Sequence, residues 1–154
     1  MRIVLASDHA GVHLKAAIAE HLAATTSHQV EDIGTHTEEP VDYPPICADA
    51  ARHVARGNAD FAVVMGGSGQ GEAIAANKVH GIRAALCHDE YTARFARRHN
   101  DANVLSLGAR LLAPELACAI LDVFLATSFD GGRHANRIAE LEEIEIFEAG
   151  GTIE

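Results

Sequence analysis

The sequence predicts an α/β fold, in which five parallel strands form a sheet that is covered by helices on both faces. Two observations lead to this prediction. Short apolar segments alternate with segments of helical spacing along the whole chain. The apolar segments are nearly continuous, which is typical of strands that are buried on both faces of a parallel sheet.

Each element follows from local signals. The first strand is an apolar run that leads into a helix with apolar residues at helical spacing. Gly34 ends the second strand, Gly57 is a natural stop for the second helix, and Pro114 suits a helix start. The predicted strands are 2–7, 29–33, 61–65, 82–87 and 104–107; the predicted helices are 10–24, 46–56, 71–78, 90–98, 114–126 and 133–147.

No linker or internal repeat divides the chain, so its 154 residues are expected to form one domain over 1–147, with 148–154 as a flexible tail. A hydrophobic share of 48% without tryptophan indicates an aliphatic core. Cys47, Cys87 and Cys118 form no C-x-x-C pair, which disfavours disulfides and zinc ribbons. We expect these cysteines to be small buried residues.

The formal net charge of −10 excludes nucleic acid and anionic membranes as natural partners. An anionic ligand would therefore need a local cluster of arginines. The chain shows no membrane span and opens directly into a strand, so a cytoplasmic location is expected.

A glycine-rich loop carries the strongest functional signal. Between the third strand and the next helix stands the segment Gly66-Gly67-Ser68-Gly69-Gln70-Gly71-Glu72. Successive glycines let backbone N–H groups converge on one point, at the positive end of the following helix. Glu72 would repel a bound phosphate, but it could take a proton from a substrate whose oxyanion the amides then stabilise.

Three common glycine motifs do not match this loop. A P-loop would need Lys and Ser/Thr after Gly71, where Glu72 and Ala73 stand. A nucleophile elbow would need glycine at Gln70, and a dinucleotide fingerprint would need it at Glu72. A simple tight turn remains an alternative.

Further candidates follow the first and fifth strands. Asp8 and His9 could hydrogen-bond a sugar hydroxyl or a phosphate, although Asp8 could also serve only as a helix cap. His9 and His13 are one helical turn apart, but no third ligand at suitable spacing supports a metal site. Arg110, after the fifth strand, is a candidate cation for a phosphate.

The remaining candidates lie in the last part of the chain. His99 could move a proton near neutral pH, although cations at a helix end also need no function. Arg133 and Arg137 lie on one helical face and, with Arg110, could hold one phosphate dianion. Alternatively, Arg137 could simply pair with Glu140 on a solvated face.

Several motifs in this order resemble the ribose-5-phosphate isomerase B family, which also contains galactose-6-phosphate and allose-6-phosphate isomerases. The resemblance covers about residues 1–147. The motifs are Ser7-Asp8-His9-Ala10-Gly11, Asp42-Tyr43-Pro44, the loop from Gly66 to Glu72, Ile74-Ala75-Ala76-Asn77-Lys78, Arg98-His99-Asn100 and Gly132-Arg133-His134.

The resemblance implies a metal-free aldose–ketose isomerase of Rossmann-like α/β/α architecture, without a cofactor. Its substrate would be a phosphorylated sugar, and its active sites would lie between the subunits of a homodimer or tetramer. Glu72 would be the base, with Ser68 helping at the reacting carbons, and the amides from Gly67 through Gly69 to Gly71 would hold the enediolate oxyanion.

The resemblance also implies roles for residues outside the loop. His99 would open the sugar ring, Asn100 would contact the substrate beside it, and Asp8 would bind substrate oxygens. The phosphate or the far hydroxyls would be bound by His9, Arg110, Arg133 and Arg137.

One position separates this chain from a large branch of the family. That branch carries a catalytic cysteine where this chain has Gly66. The chain therefore resembles the branch that uses a glutamate at the position of Glu72.

Overall fold

The computed structural model describes residues 1–150. It has five strands and six α-helices, and a short 3₁₀ turn, His9–Gly11, precedes the first helix. The elements are β1 (Arg2–Ser7), α1 (Val12–Thr25), β2 (Gln29–Asp32), α2 (Tyr43–Ala55), β3 (Phe61–Gly66), α3 (Gln70–Ala76), β4 (Ala84–Leu86), α4 (Glu90–Asn100), β5 (Val104–Gly108), α5 (Pro114–Ala126) and α6 (Arg133–Glu148).

The five strands form one parallel sheet in the order β2-β1-β3-β5-β4. The predicted α/β fold with a five-stranded parallel sheet is thus confirmed. Along β1, Ile3 and Leu5 face one layer of helices, whereas Val4 and Ala6 face the other. Both faces are therefore buried, which explains why the central strands are continuously apolar.

The two faces differ in side-chain size. Large aliphatic and aromatic residues from α1 and α5, such as Ile18, Leu22 and Phe124, cover one face together with Ala93 and Ala96 of α4. The other face packs α2 and α3 through small residues, among them Cys47, Ala50 and Ala76. Small side chains let α2 and α3 lie close to the sheet and to each other.

Several element bounds differ from the predictions by one to three residues. Helix α2 starts at Tyr43 rather than at residue 46, because prolines fit in the first turn of a helix, where no N–H donor is required. Strand β4 is shorter than predicted; it lies at the edge of the sheet, and the side chain of Asn77 pairs with both backbone groups of its first residue, Ala84. Strand β2 is an exposed edge strand with the sequence QVED, not a buried apolar run.

Helix α6 reaches the first residue of the predicted tail, Glu148, and residues 151–154 of that tail lie outside the described part of the chain. None of the helices within residues 1–150 is long and apolar enough to cross a membrane.

Candidate active site

The site is built where β1 and β3 lie side by side and their following helices go to opposite faces of the sheet. This is a topological switch point, where parallel α/β folds open a crevice at the carboxyl ends of the strands. Ser7 of β1 pairs in register with Met65 of β3, so Asp8 and Gly66 come next along the chain at this edge of the sheet. The amide of Asp8 donates to the carbonyl of Met65, at 3.2 Å.

Asp8 caps the 3₁₀ turn. Its Oδ1 accepts hydrogen bonds from the amides of Ala10 at 2.9 Å and Gly11 at 3.2 Å, and the residue is buried. Asp8 therefore does cap this turn. Both bonds go to one oxygen, which leaves Oδ2 as a possible acceptor for a ligand hydroxyl.

Glu72 lies in the first turn of α3 and is only 4% exposed. Its side chain folds back over the loop, so that a Cβ atom at Gly66 would lie 1.7 Å from its Oε1. A side chain at position 66 and the carboxylate at position 72 therefore compete for one space. This competition gives a physical reason why a chain with Glu72 in this position has glycine, not cysteine, at 66.

Burial raises the pKa of Glu72 above its usual value, and the nearby charge of Asp8 adds to the rise. The backbone amides of Glu72 and Gly69 oppose the shift by stabilising the ionised form. A carboxylate whose pKa is raised in this way is a stronger base than one in water, which suits proton abstraction from carbon.

The loop holds its carbonyls inward. The carbonyl of Gly66 accepts from the backbone amide of Ala109 at 2.8 Å, and the carbonyl of Gly67 accepts from the backbone amide of Arg110 at 3.0 Å. The carbonyl of Gly69 accepts from the Ser106 hydroxyl at 2.7 Å. Because the N–H of the next residue points opposite to each carbonyl, the amides of Gly67 and Ser68 face away from β5. These two amides are available to an anion, whereas the amide of Gln70, the first residue of α3, already donates to Oγ of Ser68.

Glycine is required at two further loop positions. Gly69 has φ +77°, and a Cβ atom there would lie 2.6 Å from Leu86 and 2.9 Å from the backbone of Leu107. At Gly71, a Cβ atom would lie 2.5 Å from the ring of Tyr43. The loop is thus wedged between β5 and the start of α2, rather than being a freely flexible turn.

The other residues of this edge surround the loop. The guanidinium of Arg110 lies over Gly67, since Nη1 would be 3.3 Å from a Cβ atom there. The exposed Ser68 accepts from the amide of Gln70 through Oγ at 3.3 Å. His9 accepts from the amide of Val41 through Nδ1 at 3.3 Å, whereas His13 pairs with Glu38 at 2.8 Å. The two histidines therefore have different partners.

Cys47, on α2, lies near the carboxylates of Glu72 and Asp8. It is fully buried, and burial together with the charges of Glu72 and Asp8 raises the pKa of its thiol to about 12. The thiol therefore stays protonated and is a packing group, not a nucleophile. The three cysteines are free, as the sequence predicts; Cys47 and Cys87 are buried as expected, whereas Cys118 is only partly buried because it lies near the surface of α5.

A second group of candidate residues lies elsewhere in the chain. His99 and Asn100 form the last turn of α4, and the Asn100 carbonyl accepts from Arg83 at 2.9 Å, just before β4 begins. The ring of His99 stacks on that of His134 at 4.1 Å and 11°, which brings the start of α6 beside the end of α4. Arg133 is exposed in the same first turn of α6.

These residues lie at the amino edge of the sheet, because each helix runs antiparallel to the strand it follows. Helix α4 starts at the carboxyl edge after β4 and ends where β5 begins, about 16 Å away for its 11 residues. One chain therefore keeps Arg110 at one edge and Arg133 with Arg137 at the other. The predicted cluster of three arginines is not formed within a single chain.

The basic groups of the amino edge have several structural partners. Arg97 is buried against Asp101 at 2.7 Å, and Arg98 pairs with Asp130 at 2.9 Å, so both cations have acidic partners within the chain. Burial lowers the pKa of His134, and the charges of His99, Arg133 and Arg137 lower it further. This concentration of positive charge suits an anionic ligand.

One cluster in the described part of the chain has metal-ligating atoms close together. Atoms of His99, Asp130 and His134 lie within 4.8 Å of one another. The two imidazole rings are stacked nearly parallel, so their in-plane nitrogen lone pairs cannot both point at one ion, and Arg98 already holds Asp130. The geometry therefore does not match a metal centre.

The sequence reasoning gave no role to two residues that the structure brings to these groups. His134 stacks on His99, and Tyr43 rests on Gly71. Both residues belong to the motifs quoted above, and their place in those motifs was the signal that could have found them. A motif does not reveal, however, which side chain each ring contacts.

The fold and the site together define a class: an α/β protein with a buried carboxylate and outward-facing amides at the switch point of a parallel sheet. The chain belongs to the Ribose/Galactose Isomerase family, whose model matches residues 3–141.

Similar proteins extend over nearly the whole chain. Ribose-5-phosphate isomerase B of Escherichia coli is 41% identical over 144 residues, which cover 94% of this chain and 96% of that protein. A structure of ribose-5-phosphate isomerase B from Clostridium thermocellum matches with a TM-score of 0.92 at 48% identity, covering 94% of this chain and 97% of that one. The enzyme from Mycoplasma genitalium, solved with bound ribulose 5-phosphate, matches with a TM-score of 0.88 at 39% identity, covering 94% and 95% of the two chains.

Proposed function

We propose that this protein is an aldose–ketose isomerase that interconverts ribose 5-phosphate and ribulose 5-phosphate. The observation that carries the proposal is the buried carboxylate of Glu72, folded over Gly66 beside the outward-facing amides of its own loop. Relatives with this name, and a similar structure that holds ribulose 5-phosphate, support the choice of substrate.

In the proposed reaction, Glu72 takes the hydrogen from C2 of the open-chain aldose as a proton. The electron pair of that bond forms the C1–C2 double bond of an enediolate, and negative charge collects on O1. Loop amides between Gly67 and Gly71 would stabilise this charge, with the hydroxyl of Ser68 at the reacting carbons. Glu72 then returns the proton to C1, while the hydroxyl proton of O2 passes to O1.

The remaining roles divide between the two edges of the sheet. At the carboxyl edge, Asp8 and His9 would bind substrate oxygens, and Arg110 is a cation beside the loop. At the amino edge, His99 would move the proton that opens the sugar ring, with Asn100 beside it. Arg133 and Arg137 would bind the phosphate.

We propose further that each active site is shared between two subunits. Glu72 and His99 lie at opposite edges of the sheet in one chain, so they can act on one substrate only if they come from different chains. An interface in which the carboxyl edge of one subunit meets the amino edge of its partner would complete the site, and a twofold axis would complete two sites at once. A homodimer is sufficient, and a tetramer would repeat the same pair.

Exposed apolar side chains at both edges support this arrangement. On α6, Leu141 is 48% exposed and Ile144 is 59% exposed, and both line a groove of about 470 Å³ against the start of β4. Near the carboxyl edge, Leu111 is 63% exposed beside Arg110. The groove on α6 is the stronger support, because contiguous exposed apolar side chains on a small chain mark interaction surfaces.

Complementation tests the shared site. Glu72→Gln and His99→Asn subunits, each inactive alone, are co-refolded in equal amounts. Random pairing makes half the dimers mixed, and each mixed dimer has one site with both native residues. About a quarter of wild-type activity is therefore expected. A mixture that stays as inactive as its components would show that both residues serve the same chain's site.

The reaction is tested with a panel of sugar phosphates in deuterated water. Ribose 5-phosphate is expected to give ribulose 5-phosphate with solvent deuterium on the carbon that receives the proton, because the proton is held by an exchangeable carboxylic acid. Preference for a tetrose or hexose phosphate would assign a different isomerase of the same family. A nucleotide-binding module without turnover would incorporate no deuterium into any sugar.

We also place the enzyme in the cytoplasm, which its free, largely buried cysteines support.

A further inference from the structure

Lys15 is a buried charged residue that the proposed reaction does not use. It lies on α1 and is 1% exposed, although lysine is almost never fully buried without a partner. Its ammonium donates to Oδ1 of Asp32 at 2.5 Å and to the carbonyl of Thr35 at 2.7 Å. Both partners belong to the end of β2 and the first residues after it.

These contacts fix the start of the β2–α2 loop, residues 33–42. The loop continues alongside β1, because the amide of Ile33 donates to Leu5 at 3.0 Å and that of Thr35 donates to Ser7 at 3.1 Å. At Gly34 a Cβ atom would lie 2.3 Å from the amide nitrogen of Ser7, so the backbones are in direct contact. The loop is thus held against the residue that precedes Asp8.

The far end of the same loop reaches His9. The amide of Val41 donates to Nδ1 of His9 at 3.3 Å. A neutral imidazole that accepts through Nδ1 carries its proton on Nε2. His9 therefore presents an N–H donor, which suits the oxygen-rich substrate that it is proposed to bind.

We propose that Lys15 is a positioning residue for the active site: its buried ion pair with Asp32 holds the β2–α2 loop so that Val41 fixes the tautomer and orientation of His9. The substrate side of this inference rests on the proposed function, whereas the effect on His9 does not. Glu72 belongs to α3 and its loop is held by β5, so the chemical step does not depend on this contact.

The test uses Lys15→Met, which keeps much of the volume but removes the charge. It is expected to raise KM for ribose 5-phosphate about tenfold, through loss of one well-placed hydrogen bond, with kcat within about twofold of wild type. In ¹⁵N NMR spectra of the free enzyme, the His9 ring signals are expected to shift from one fixed tautomer towards averaged values. Lys78→Met, at an exposed position two residues after α3, is the matched control and should change neither measurement.

A second variant covers the case in which Asp32, left without its partner, prevents folding. Lys15→Met/Asp32→Asn removes both charges and should show the same rise in KM and the same change at His9. A folded variant with wild-type KM and unchanged His9 signals would overturn the proposal, as would a fall in kcat with no change at His9. If wild type isomerises no sugar phosphate, the proposed function fails, and the His9 spectra still decide the role of Lys15.

Discussion

Glu72→Gln is expected to lower kcat for ribose 5-phosphate by ~10²-fold or more, because the amide keeps the shape of the side chain but cannot accept the proton from C2. The variant should still bind the substrate, since the loop amides and Asp8 are unchanged. Steady-state kinetics, together with binding measured by calorimetry, separate the two effects. Glu20→Gln, on the exposed face of α1, is the control and should keep wild-type kcat.

The Glu72→Gln variant is also expected to be more stable than wild type at pH 7. The folded-state pKa of Glu72 is raised, chiefly by burial, above its ordinary value of 4.5, so ionisation of the carboxyl opposes folding. This destabilisation is absent below the unfolded-state pKa, grows as the pH rises and is complete above the folded-state pKa. Glutamine has no such cost. In urea unfolding, the free energy of unfolding of Glu72→Gln should exceed that of wild type at pH 7, and the difference should shrink towards pH 4.5.

Loss of activity together with lower stability at pH 7 would contradict this account. It would mean that the ionised carboxylate is stabilised by its surroundings, and is therefore a poor base. Activity near the wild-type level would reject Glu72 as the base altogether.

Gly66→Ala is expected to lower kcat for ribose 5-phosphate about as much as Glu72→Gln does, although it adds only one methyl group. A Cβ atom at this position would lie 1.7 Å from Oε1 and 2.3 Å from Cδ of Glu72, so the carboxylate must leave its place. A base displaced by about 1 Å can cost ~10²-fold in rate. Steady-state kinetics measure the loss, and a crystal structure of the variant should show the carboxyl group of Glu72 turned away from residue 66.

Gly67→Ala is the matched comparison, because its Cβ atom would meet only the end of a flexible side chain, Nη1 of Arg110 at 3.3 Å. Its loss of kcat should be clearly smaller than that of Gly66→Ala. Equal losses would mean that any side chain in the loop is harmful and that the contact between residue 66 and Glu72 has no special role.

Much of the fold could be predicted, because local signals and the fold's regularities agree. Buried parallel strands such as β3 are continuously apolar, and Pro114 marks the observed start of α5. The predictions were less accurate at the two edges of the sheet. Strand β2 is polar because it lies at one edge. Strand β4 lies at the other edge, where the backbone of its first residue, Ala84, pairs with the side chain of Asn77 instead of with a further strand.

The sequence by itself determined the chemical content of the site: an acid directly after a glycine loop, the class of fold, and the set of motifs that this chain shares with its family. These properties depend on residue type and short spacing, which are visible in one dimension. The tertiary structure alone decided that Glu72 fills the space left by Gly66, and that Glu72 and His99 lie at opposite edges of the sheet. The contact between Glu72 and Gly66 and the separation of Glu72 from His99 depend on helix direction and long-range packing. Local sequence patterns do not specify either of these.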